Sequence, residues 1–344
     1  MTFTESPPYS TDLIRKPLRI RYDEETMALH LITGVAGFIG SSIARALLER
    51  GEQVRGIDNF ATGKRENIAE ILGRIDFRQA DLLDLGAMKT ACQGVDCVFH
   101  QAAIPSVPKS VLDPLGSNQA NVDGTVNILV AARDAKARRV VYAASSAAYG
   151  DTPTLPKHED MPPNPISPYA VAKLASEYYM ISFYRCYGLE TVCLRYFNIF
   201  GPRQDPTSPY SGVLAKFITQ MLQGEPPTIF GDGTQSRDFT YIDNAVEANL
   251  LAARAPAAQV AGQVFNVATG TRADLNQTIE LLRKLTGYSG QVKHGPEREG
   301  DVKHSLANIA RARMALDYQP KVNFEEGLRR TVEWYQGQGK AARA

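Results

Sequence analysis

The first regular feature of the chain is a series of short apolar runs, each separated from the next by a stretch with helical periodicity. The runs lie at 28–33, 54–57, 75–80, 96–100 and 139–143. Strands that alternate with helices in this way form parallel sheets, because each crossover helix returns the chain to the same end of the sheet. The pattern therefore predicts an α/β fold built on a doubly wound parallel sheet.

A glycine-rich turn follows the first of these runs directly. Gly34, Gly37 and Gly40 stand between the strand and a helical stretch, and the next strand ends in Asp58, 24 residues beyond Gly34. In dinucleotide-binding folds such glycines let the backbone approach a pyrophosphate, which the helix N-terminus binds, and the acid accepts a hydrogen bond from the adenosine ribose. The turn therefore predicts a Rossmann-type sheet that binds a dinucleotide.

The acid at the end of the second strand bears on which dinucleotide is bound. Asp58 favours NAD over NADP, because a carboxylate repels a 2′-phosphate. Lys64 and Arg65 follow in the next loop and leave NADP open as the alternative.

Polar residues follow four of the predicted strands at the point where each strand ends. They are Asp58, Asp81, Gln101 and Ser145. Open parallel sheets bind their ligands beyond the carboxyl ends of the strands. We therefore expect these four side chains to lie where a cofactor and its substrate meet.

A tyrosine and a lysine stand four residues apart at the start of a long helical stretch, 168–187. On a helix, Tyr169 and Lys173 share one face. A tyrosine has a pKa of about 10, so a neutral-pH base needs roughly 3 units of preferential phenolate stabilisation, about 4 kcal/mol. The lysine cation and a cationic nicotinamide ring are expected to supply it, with Ser145 orienting a substrate hydroxyl. Taken alone, the pair is equally typical of a solvated helix face.

Beyond residue 196 the character of the chain changes, and a second, smaller α/β lobe is expected. We assign residues 1–27 to an N-terminal extension and 28–196 plus 239–270 to the cofactor domain. The smaller substrate-binding lobe takes 197–238 plus 271–338. Its last helix carries an apolar stripe of core residues, Phe324, Leu328, Val332 and Tyr335.

The helix predicted at 168–187 is apolar nearly all round, whereas a helix on one face of a sheet needs only a stripe. The surplus includes Val171, Tyr178, Tyr179 and Tyr184. We expect a homodimer that packs through this second face. Burial beneath the smaller lobe is the alternative.

Composition limits the classes of binding partner and the cellular compartment that we expect for this protein. The 344 residues carry a net charge of +1, so nothing in the charge favours nucleic acid or an anionic membrane as a partner. No apolar run reaches the length that crosses a bilayer, and the first 26 residues lack the apolar core of a secretory signal. Four cysteines without close pairing fit reduced thiols, so we expect a cytoplasmic protein without a metal site.

Several stretches together resemble the nucleotide-sugar 4-epimerases of the extended short-chain dehydrogenase/reductase family, and most of all the UDP-N-acetylglucosamine 4-epimerases. The resemblance covers essentially residues 29–338. It is carried by 32–40 (ITGVAGFIG), 58–63 (DNFATG), 143–150 (AASSAAYG), 167–170 (SPYA), 194–198 (LRYFN), 203–206 (RQDP), 236–239 (SRDF) and 298–305 (REGDVKHS). The spacing G-x-x-G-x-x-G also resembles this family rather than the commonest dinucleotide fingerprint.

This resemblance, with the turn motif, implies a set of cofactor and substrate contacts. NAD is expected at Gly34, Gly37, Phe38, Ile39, Gly40, Asp58, Asn59, Thr62, Gly63, Asp81, Leu82, Gln101, Ala102, Ala103, Tyr169, Lys173 and Phe197. A UDP-sugar is expected at Ser106, Ser145, Ser146, Asn198, Thr228, Phe230, Arg237, Arg298, Asp301 and Ser305. The two arginines also have a physical warrant, because a diphosphate needs fixed cations when the net charge is near zero. Arg237 could instead pair with Asp238.

The reaction implied is reversible 4-epimerisation of a UDP-hexose through a transient 4-keto sugar, with Ser145, Tyr169 and Lys173 as the catalytic group. In the resembling family a small residue at position 305 admits a 2-N-acetyl group, so Ser305 favours UDP-GlcNAc and UDP-GalNAc. Ala147 and Pro105 depart from the N-acetyl-preferring pattern and keep UDP-glucose and UDP-galactose open.

Other activities found on the same fold require residues that can be compared with those of this chain. Resembling 4,6-dehydratases carry an Asp-Glu pair where Ser146 and Ala147 stand, and a UDP-glucuronate decarboxylase would also need an acid at Ala147. UDP-glucuronate 4-epimerase stays open, since Lys109 or Arg203 could meet a carboxylate. A non-catalytic NAD-binding protein is disfavoured by the retained catalytic residues.

Overall fold

The computed structural model describes residues 27–206, 212–297 and 303–341. Almost all of the expected N-terminal extension lies outside this range, as do Arg298 and Asp301. None of the helices in the described part of the chain combines the length and the apolar character needed to cross a bilayer.

Strands and helices alternate through the first two thirds of the chain. The strands are β1 (Leu29–Thr33), β2 (Gln53–Asp58), β3 (Asp76–Gln79), β4 (Cys97–His100), β5 (Arg139–Ser145), β6 (Glu190–Tyr196), β7 (Ile199–Phe200), β8 (Thr228–Phe230), β9 (Ser236–Arg237), β10 (Thr240–Tyr241), β11 (Gln263–Val267), β12 (Ala273–Asp274) and β13 (Lys293–Gly295). The helices are α1 (Phe38–Glu49), α2 (Leu85–Ala91), α3 (Val107–Leu112), α4 (Pro114–Asn118), α5 (Gly124–Asp134), α6 (Pro168–Tyr187), α7 (Val213–Leu222), α8 (Ile242–Arg254), α9 (Ala257–Val260), α10 (Leu275–Thr286), α11 (Ala310–Leu316) and α12 (Phe324–Ala341).

Seven strands form one parallel sheet in the order β11-β6-β5-β4-β1-β2-β3. The chain first builds outward from β1 to β3 and then continues from β4 on the other side of β1. The crevice between the ends of β1 and β4 is therefore the topological switch point, where such sheets bind their ligands. The predicted doubly wound α/β fold is confirmed.

Alternate residues of the central strands pack on opposite faces of the sheet. Leu31 of β1 and Val98 of β4 belong to one apolar cluster, together with side chains of α2, α5 and α6. Their neighbours Ile32 and Phe99 belong to a second cluster, with side chains of α1 and α8. Period-two alternation within strands that are apolar throughout is what burial on both faces requires.

Helix α6 begins and ends at the residues expected from local signals. The Ser167 hydroxyl accepts a hydrogen bond from the Ala170 backbone N–H at 3.2 Å, and Pro168 occupies the first turn. Gly188 ends the helix in the left-handed conformation, with φ of 70°. The face of α6 turned towards the sheet buries Lys173, Leu174 and other side chains, so the start of the helix lies over the end of β5.

The apolar surplus of α6 remains on the surface of the chain. Val171 and Tyr178 are 51% and 53% exposed, and Tyr179 and Tyr184 are also exposed. The alternative that the smaller lobe buries this face is therefore wrong for these four side chains. The division into a cofactor domain and a smaller lobe at the stated boundaries stays a prediction.

Candidate active site

The turn after β1 is packed so tightly that two of its glycines have no room for a side chain. Gly34 has φ of +70°, and a Cβ placed there would lie 2.8 Å from the Ala102 backbone at the end of β4. A Cβ on Gly40 would lie 2.1 Å from the Gly34 carbonyl oxygen. Close packing at these two positions holds the start of α1 directly above the switch point.

The first turn of α1 presents backbone donors towards this crevice. Gly37 is the N-cap residue and offers no capping side chain, and the first turn contains no acidic residue. The N–H groups of Phe38, Ile39 and Gly40 have no carbonyl partner within the helix, as at any helix start. A pyrophosphate fits this helix end, where the macrodipole also favours negative charge.

Asp58, at the end of β2, is fixed by backbone donors. Its carboxylate accepts hydrogen bonds from the N–H groups of Ala36 (2.9 Å) and Phe60 (2.8 Å). Burial raises the pKa of this carboxyl group, and the two N–H donors oppose that rise. A Cβ on Gly63 would lie 2.8 Å from both carboxylate oxygens, so the loop closes around the acid. An adenosine ribose fits beside this fixed acceptor, as NAD requires.

Other residues expected at the cofactor fall into exposed and buried groups. Asn59 donates to Asp81 at 2.8 Å, linking the ends of β2 and β3 at the surface. Leu82 is buried, and the Gln101 amide bonds Asn249 and Tyr196, at 3.1 Å each. The remaining positions near the crevice are the half-buried Ala102 and Ala103 and the exposed Thr62.

Phe197, also expected at the cofactor, is 1% exposed and packs 6.1 Å from the Tyr149 ring. Its side chain therefore belongs to the core, and its backbone N–H already donates to the Val267 carbonyl at 3.1 Å.

Ser145 and Tyr169 meet at the carboxyl end of β5. The Ser145 hydroxyl lies close enough to the Tyr169 phenol to lower its pKa. The Ser145 hydroxyl also accepts the Ala147 backbone N–H at 3.1 Å, which fixes its oxygen at the strand end. Ser145 thus both caps the turn at the end of its strand and faces the tyrosine. Ser146 follows it as the first residue of a short helical turn.

The protein's own electrostatics at Tyr169 differ from the sequence-based expectation. Burial raises the pKa of its phenol, and the hydrogen bond from Ser145 offsets part of that rise. Lys173 lies on the same helix face, but its ammonium sits 4.3 Å from the centre of the Tyr142 ring. The chain alone therefore does not lower the phenol's pKa. Of the two charges expected to stabilise the Tyr169 phenolate, the positive charge of an oxidised nicotinamide remains.

Lys173 is itself 4% exposed, and burial lowers its pKa to about 7. Tyr142 stacks against His100 on its other side, with ring centroids 5.5 Å apart. The His100 imidazole bridges the hydroxyls of Thr33 (2.7 Å) and Thr125 (2.9 Å). Tyr142 and His100 were not among the expected site residues. The sequence signal for them was their position: His100 ends β4 next to Gln101, and Tyr142 lies three residues before Ser145 in β5.

A buried ion pair lies one helical turn beyond Lys173. Glu177 accepts two hydrogen bonds from Arg195, at 2.6 and 2.9 Å, and both side chains are almost fully buried. The Arg195 guanidinium also lies 4.7 Å from the centre of the Tyr149 ring. The Glu177 charge favours the charged form of Lys173. The Glu177 carboxylate and the Arg195 guanidinium thus neutralise each other inside the protein, one turn of α6 beyond Lys173.

Three of the residues expected at the UDP-sugar, Asn198, Arg237 and Ser305, lie at β9 or directly beside it. The Asn198 amide donates to the Asp238 carbonyl at 3.1 Å, and Arg237 donates to the Lys303 carbonyl at 3.0 Å. The Asp238 carboxylate accepts bonds from Thr269, Gly270 and Ala307. Asp238 is therefore saturated by donors other than Arg237, which disfavours the structural ion pair considered from the sequence.

Ser305 lies directly beside this cluster, because its backbone N–H donates to the Ser236 carbonyl at 3.0 Å. Thr228 and Phe230 are half-buried in β8. Ser106, which was expected at the substrate, is 2% exposed. Its hydroxyl accepts the Lys109 backbone N–H at 3.0 Å and caps α3. This capping role was readable from Ser106 followed by Pro108.

Comparisons with known proteins agree with this geometry. The model of the NAD dependent epimerase/dehydratase family matches residues 30–268. The UDP-glucose 4-epimerase of Mycolicibacterium smegmatis is 38% identical over 314 residues, which cover 90% of this chain and 99% of that protein.

Two solved structures show the same fold. UDP-N-acetylglucosamine 4-epimerase from Methanobrevibacter ruminantium M1, in complex with UDP-N-acetylmuramic acid, is 40% identical, with a TM-score of 0.86 and coverage of 91% of this chain and 99% of that one. UDP-glucuronic acid 4-epimerase from Bacillus cereus, in complex with UDP-glucuronic acid and NAD, is 34% identical, with a TM-score of 0.83 and coverage of 90% and 99%.

The resemblance inferred from the sequence is thus confirmed, and so is NAD as the cofactor of the matching family. Asp58, the α1 N-terminus and the close-packed glycines are the parts of this chain that fit it. The chain is an enzyme of the NAD dependent epimerase/dehydratase family.

Proposed function

We propose that this enzyme catalyses the reversible 4-epimerisation of a UDP-hexose, and that its preferred pair is UDP-GlcNAc and UDP-GalNAc. The observation that carries the proposal is that Tyr169, at the start of α6, lies beside Ser145 at the carboxyl end of β5, where the Ser145 hydroxyl lowers the pKa of the phenol. Lys173 lies one turn further along the same helix, and the dinucleotide crevice opens at the same edge of the sheet. The relatives named above that act on UDP-glucose, UDP-GlcNAc and UDP-glucuronate support the reaction class.

The residues of the chain have separate tasks in this reaction. Ser145 orients the sugar 4-hydroxyl, and Tyr169 removes its proton and later returns it. Bound NAD would supply the hydride acceptor and donor for C4, so the sugar would leave with the opposite configuration at that carbon. The sugar must turn over between the two transfers, so the protein has to hold the diphosphate firmly and the hexose loosely. In this proposal Arg237, whose guanidinium donates to the Lys303 carbonyl, holds the diphosphate.

Elimination of water and decarboxylation are disfavoured by the turn after Ser145. The next two residues are Ser146 and Ala147, and neither supplies the carboxyl group that acid–base elimination needs. Proton removal from a hydroxyl, with the proton later returned, is the chemistry that the residues present can support.

The preference for an N-acetylated sugar rests on Ser305. Its backbone bond to Ser236 places it next to Arg237, where the sugar joined to the diphosphate would lie. A serine leaves room at this position that an aromatic side chain would fill.

A UDP-glucuronate substrate would need a cation near the sugar. Arg203 was considered for this task, but it lines a cavity of about 600 Å³ together with Lys64, Asp205 and Trp334. That cavity lies between the loop after Asp58 and α12, where Lys64 pairs with Asp205 at 2.9 Å. Lys109 on α3 is the other cation considered for the carboxylate, and UDP-glucuronate stays the third choice of substrate.

We also propose that two copies of the chain associate through α3, α4 and α6. Large apolar side chains on these three neighbouring helices stay exposed, among them Leu112 (83%), Leu115 (77%) and Val111 (62%). Together with Val171 and Tyr178 on α6, these exposed apolar side chains are here called the α3–α6 face. Apolar patches of this kind mark association surfaces.

The reaction is tested by incubating the purified protein separately with UDP-glucose, UDP-GlcNAc and UDP-glucuronate and resolving the epimers. UDP-GlcNAc should be converted to UDP-GalNAc with the highest kcat/KM. Products that have lost water or carbon dioxide, or no epimer from any of the three, would overturn the proposal. Tyr169→Phe should lose nearly all turnover and still retain NAD, because the phenol is needed for proton transfer and not for folding.

A further inference from the structure

The backbone of Tyr169 is held by a side chain from another helix. Ser110, in the middle of α3, is fully buried. Its hydroxyl donates to the Val107 carbonyl at 2.7 Å and accepts the Tyr169 backbone N–H at 3.0 Å. The two bonded residues Ser110 and Tyr169 are 59 positions apart in the sequence.

This bond completes the start of α6. The first N–H groups of a helix have no partner inside the helix and must find one elsewhere. The Ser167 hydroxyl serves the Ala170 N–H from the adjacent residue, as an ordinary N-cap. The Tyr169 N–H instead takes its partner from α3, so the position of this one residue is tied to a neighbouring element.

Tyr169 is consequently fixed at its backbone N–H, which Ser110 accepts, while its phenol faces the Ser145 hydroxyl. Ser110 has both of its hydrogen-bonding capacities used, so its oxygen cannot turn away without leaving a buried group unpaired.

We propose that Ser110 is a positioning residue for Tyr169, setting the distance between its phenol and Ser145. The inference rests on the proposed role of Tyr169 as the base. Misplacement of a reacting group by about 1 Å can cost roughly 100-fold in rate. A small displacement of the first turn of α6 therefore lowers kcat without removing any group that touches substrate or NAD.

The test compares two serines at the same helix end. Ser110→Ala and Ser167→Ala each remove one side-chain bond to an N–H of the first turn of α6. Ser110→Ala should lower kcat about 10-fold, with KM for the UDP-sugar within about twofold and with NAD content unchanged. Ser167→Ala should lose comparable thermal stability and keep kcat within about twofold. Equal kcat for the two variants would overturn the inference, because it would reduce Ser110 to a helix cap.

A second pair isolates the hydroxyl from side-chain volume. Ser110→Thr and Ser110→Val have the same shape, and only the threonine keeps the hydrogen bond. The threonine variant should turn over at least about fivefold faster than the valine variant. Equal rates would contradict the proposal even if both variants were less stable than the native protein.

The pH dependence provides a readout that a purely structural role would not move. The hydrogen bond from Ser145 lowers the pKa of Tyr169, so loosening that bond raises it. In Ser110→Ala the acid limb of kcat should therefore move to higher pH, and in Ser167→Ala it should stay in place. An unmoved limb in Ser110→Ala would count against positioning.

Tyr169→Phe, measured in parallel, separates this inference from the proposed function. If Tyr169→Phe is inactive and the two alanine variants do not differ, only the role of Ser110 fails. If Tyr169→Phe stays active, the base assignment fails, and the inference fails with it.

Discussion

The ammonium of Lys173 lies 4.3 Å from the centre of the Tyr142 ring. Burial opposes the charge on this lysine and brings its pKa to about 7. The electron-rich face of an aromatic ring attracts a cation, and the attraction grows when the cation is desolvated. Tyr142 thus helps to keep Lys173 charged next to the base.

Replacing the ring of Tyr142 should make the enzyme sensitive to mildly alkaline pH. In Tyr142→Leu the charged form of Lys173 loses the ring, so the lysine pKa falls further and the alkaline limb of kcat moves to lower pH. At pH 7.5 we expect a loss of about 10-fold in kcat, or about 1.4 kcal/mol. Tyr142→Phe keeps the ring and is the matched control. A pH profile of kcat decides, and equal profiles for Leu and Phe would contradict a role for the ring.

Ser305 should act as the gate for the 2-N-acetyl group. Ser305→Tyr fills the space beside Arg237, so turnover of UDP-GlcNAc should fall at least about 100-fold while UDP-glucose stays within about threefold. Ser305→Ala keeps the space and should leave both activities near the native values. Separate kcat/KM measurements with the two sugars check this, and an equal loss with both would refute the gate.

The α3–α6 face should hold the proposed dimer together. Leu112→Glu combined with Leu115→Glu places two carboxylates in an apolar contact, where each is costly to desolvate. Size-exclusion chromatography with light scattering should give about twice the chain mass for the native protein and the single-chain mass for the double variant.

Met314→Glu is the control for the dimer, because Met314 is 81% exposed on α11 and outside the α3–α6 face. It should remain dimeric. A native protein that elutes as a monomer would end the dimer proposal.

His100 should make the folded protein sensitive to acid. Its pKa is lowered from 6.5 to about 3, because burial disfavours the imidazolium. The unfolded chain binds a proton at this residue below pH 6.5 and the folded chain does not, so stability falls as the pH falls from 6.5 towards 3. Between pH 7 and pH 5 the loss from this residue is about 2 kcal/mol.

Urea unfolding at pH 7 and pH 5, at a fixed NAD concentration, measures this difference. His100→Gln carries no titrating ring, so its free energy of unfolding should fall by about 2 kcal/mol less than that of the native protein. His158→Gln changes an exposed histidine and should behave as the native protein does. The same acid loss in His100→Gln as in the native chain would show that His100 is not the titrating group.

Local signals in the sequence were enough to predict the extent of α6, because Ser167, Pro168 and Gly188 mark its ends by rules that act over a few residues. They also placed Asp58 and Ser145 at strand ends. The role of Ser106 at the substrate stays a prediction, and in the structure its hydroxyl caps α3.

Contacts between distant parts of the chain could not be predicted from the sequence. Helix α5 is preceded by a π-helical turn, Gln119–Asp123, and within it the Asn121 side chain accepts the Ile104 backbone N–H at 2.9 Å. The cation–ring contact of Lys173 joins α6 to β5, and the backbone bond of Tyr169 joins α6 to α3. No periodicity or spacing in the sequence predicts these contacts, because each depends on how the folded helices, strands and loops pack together.

The fit between Gly40 and the Gly34 carbonyl affects how mutational scans of this enzyme should be interpreted. A methyl group at position 40 would collide with that oxygen, so the helix would have to back away from the sheet. Cofactor loss in Gly40→Ala would then report a displaced scaffold instead of a deleted ligand contact. Substitutions at Asp58 carry the same ambiguity, because they remove the carboxylate that accepts the Ala36 and Phe60 N–H groups.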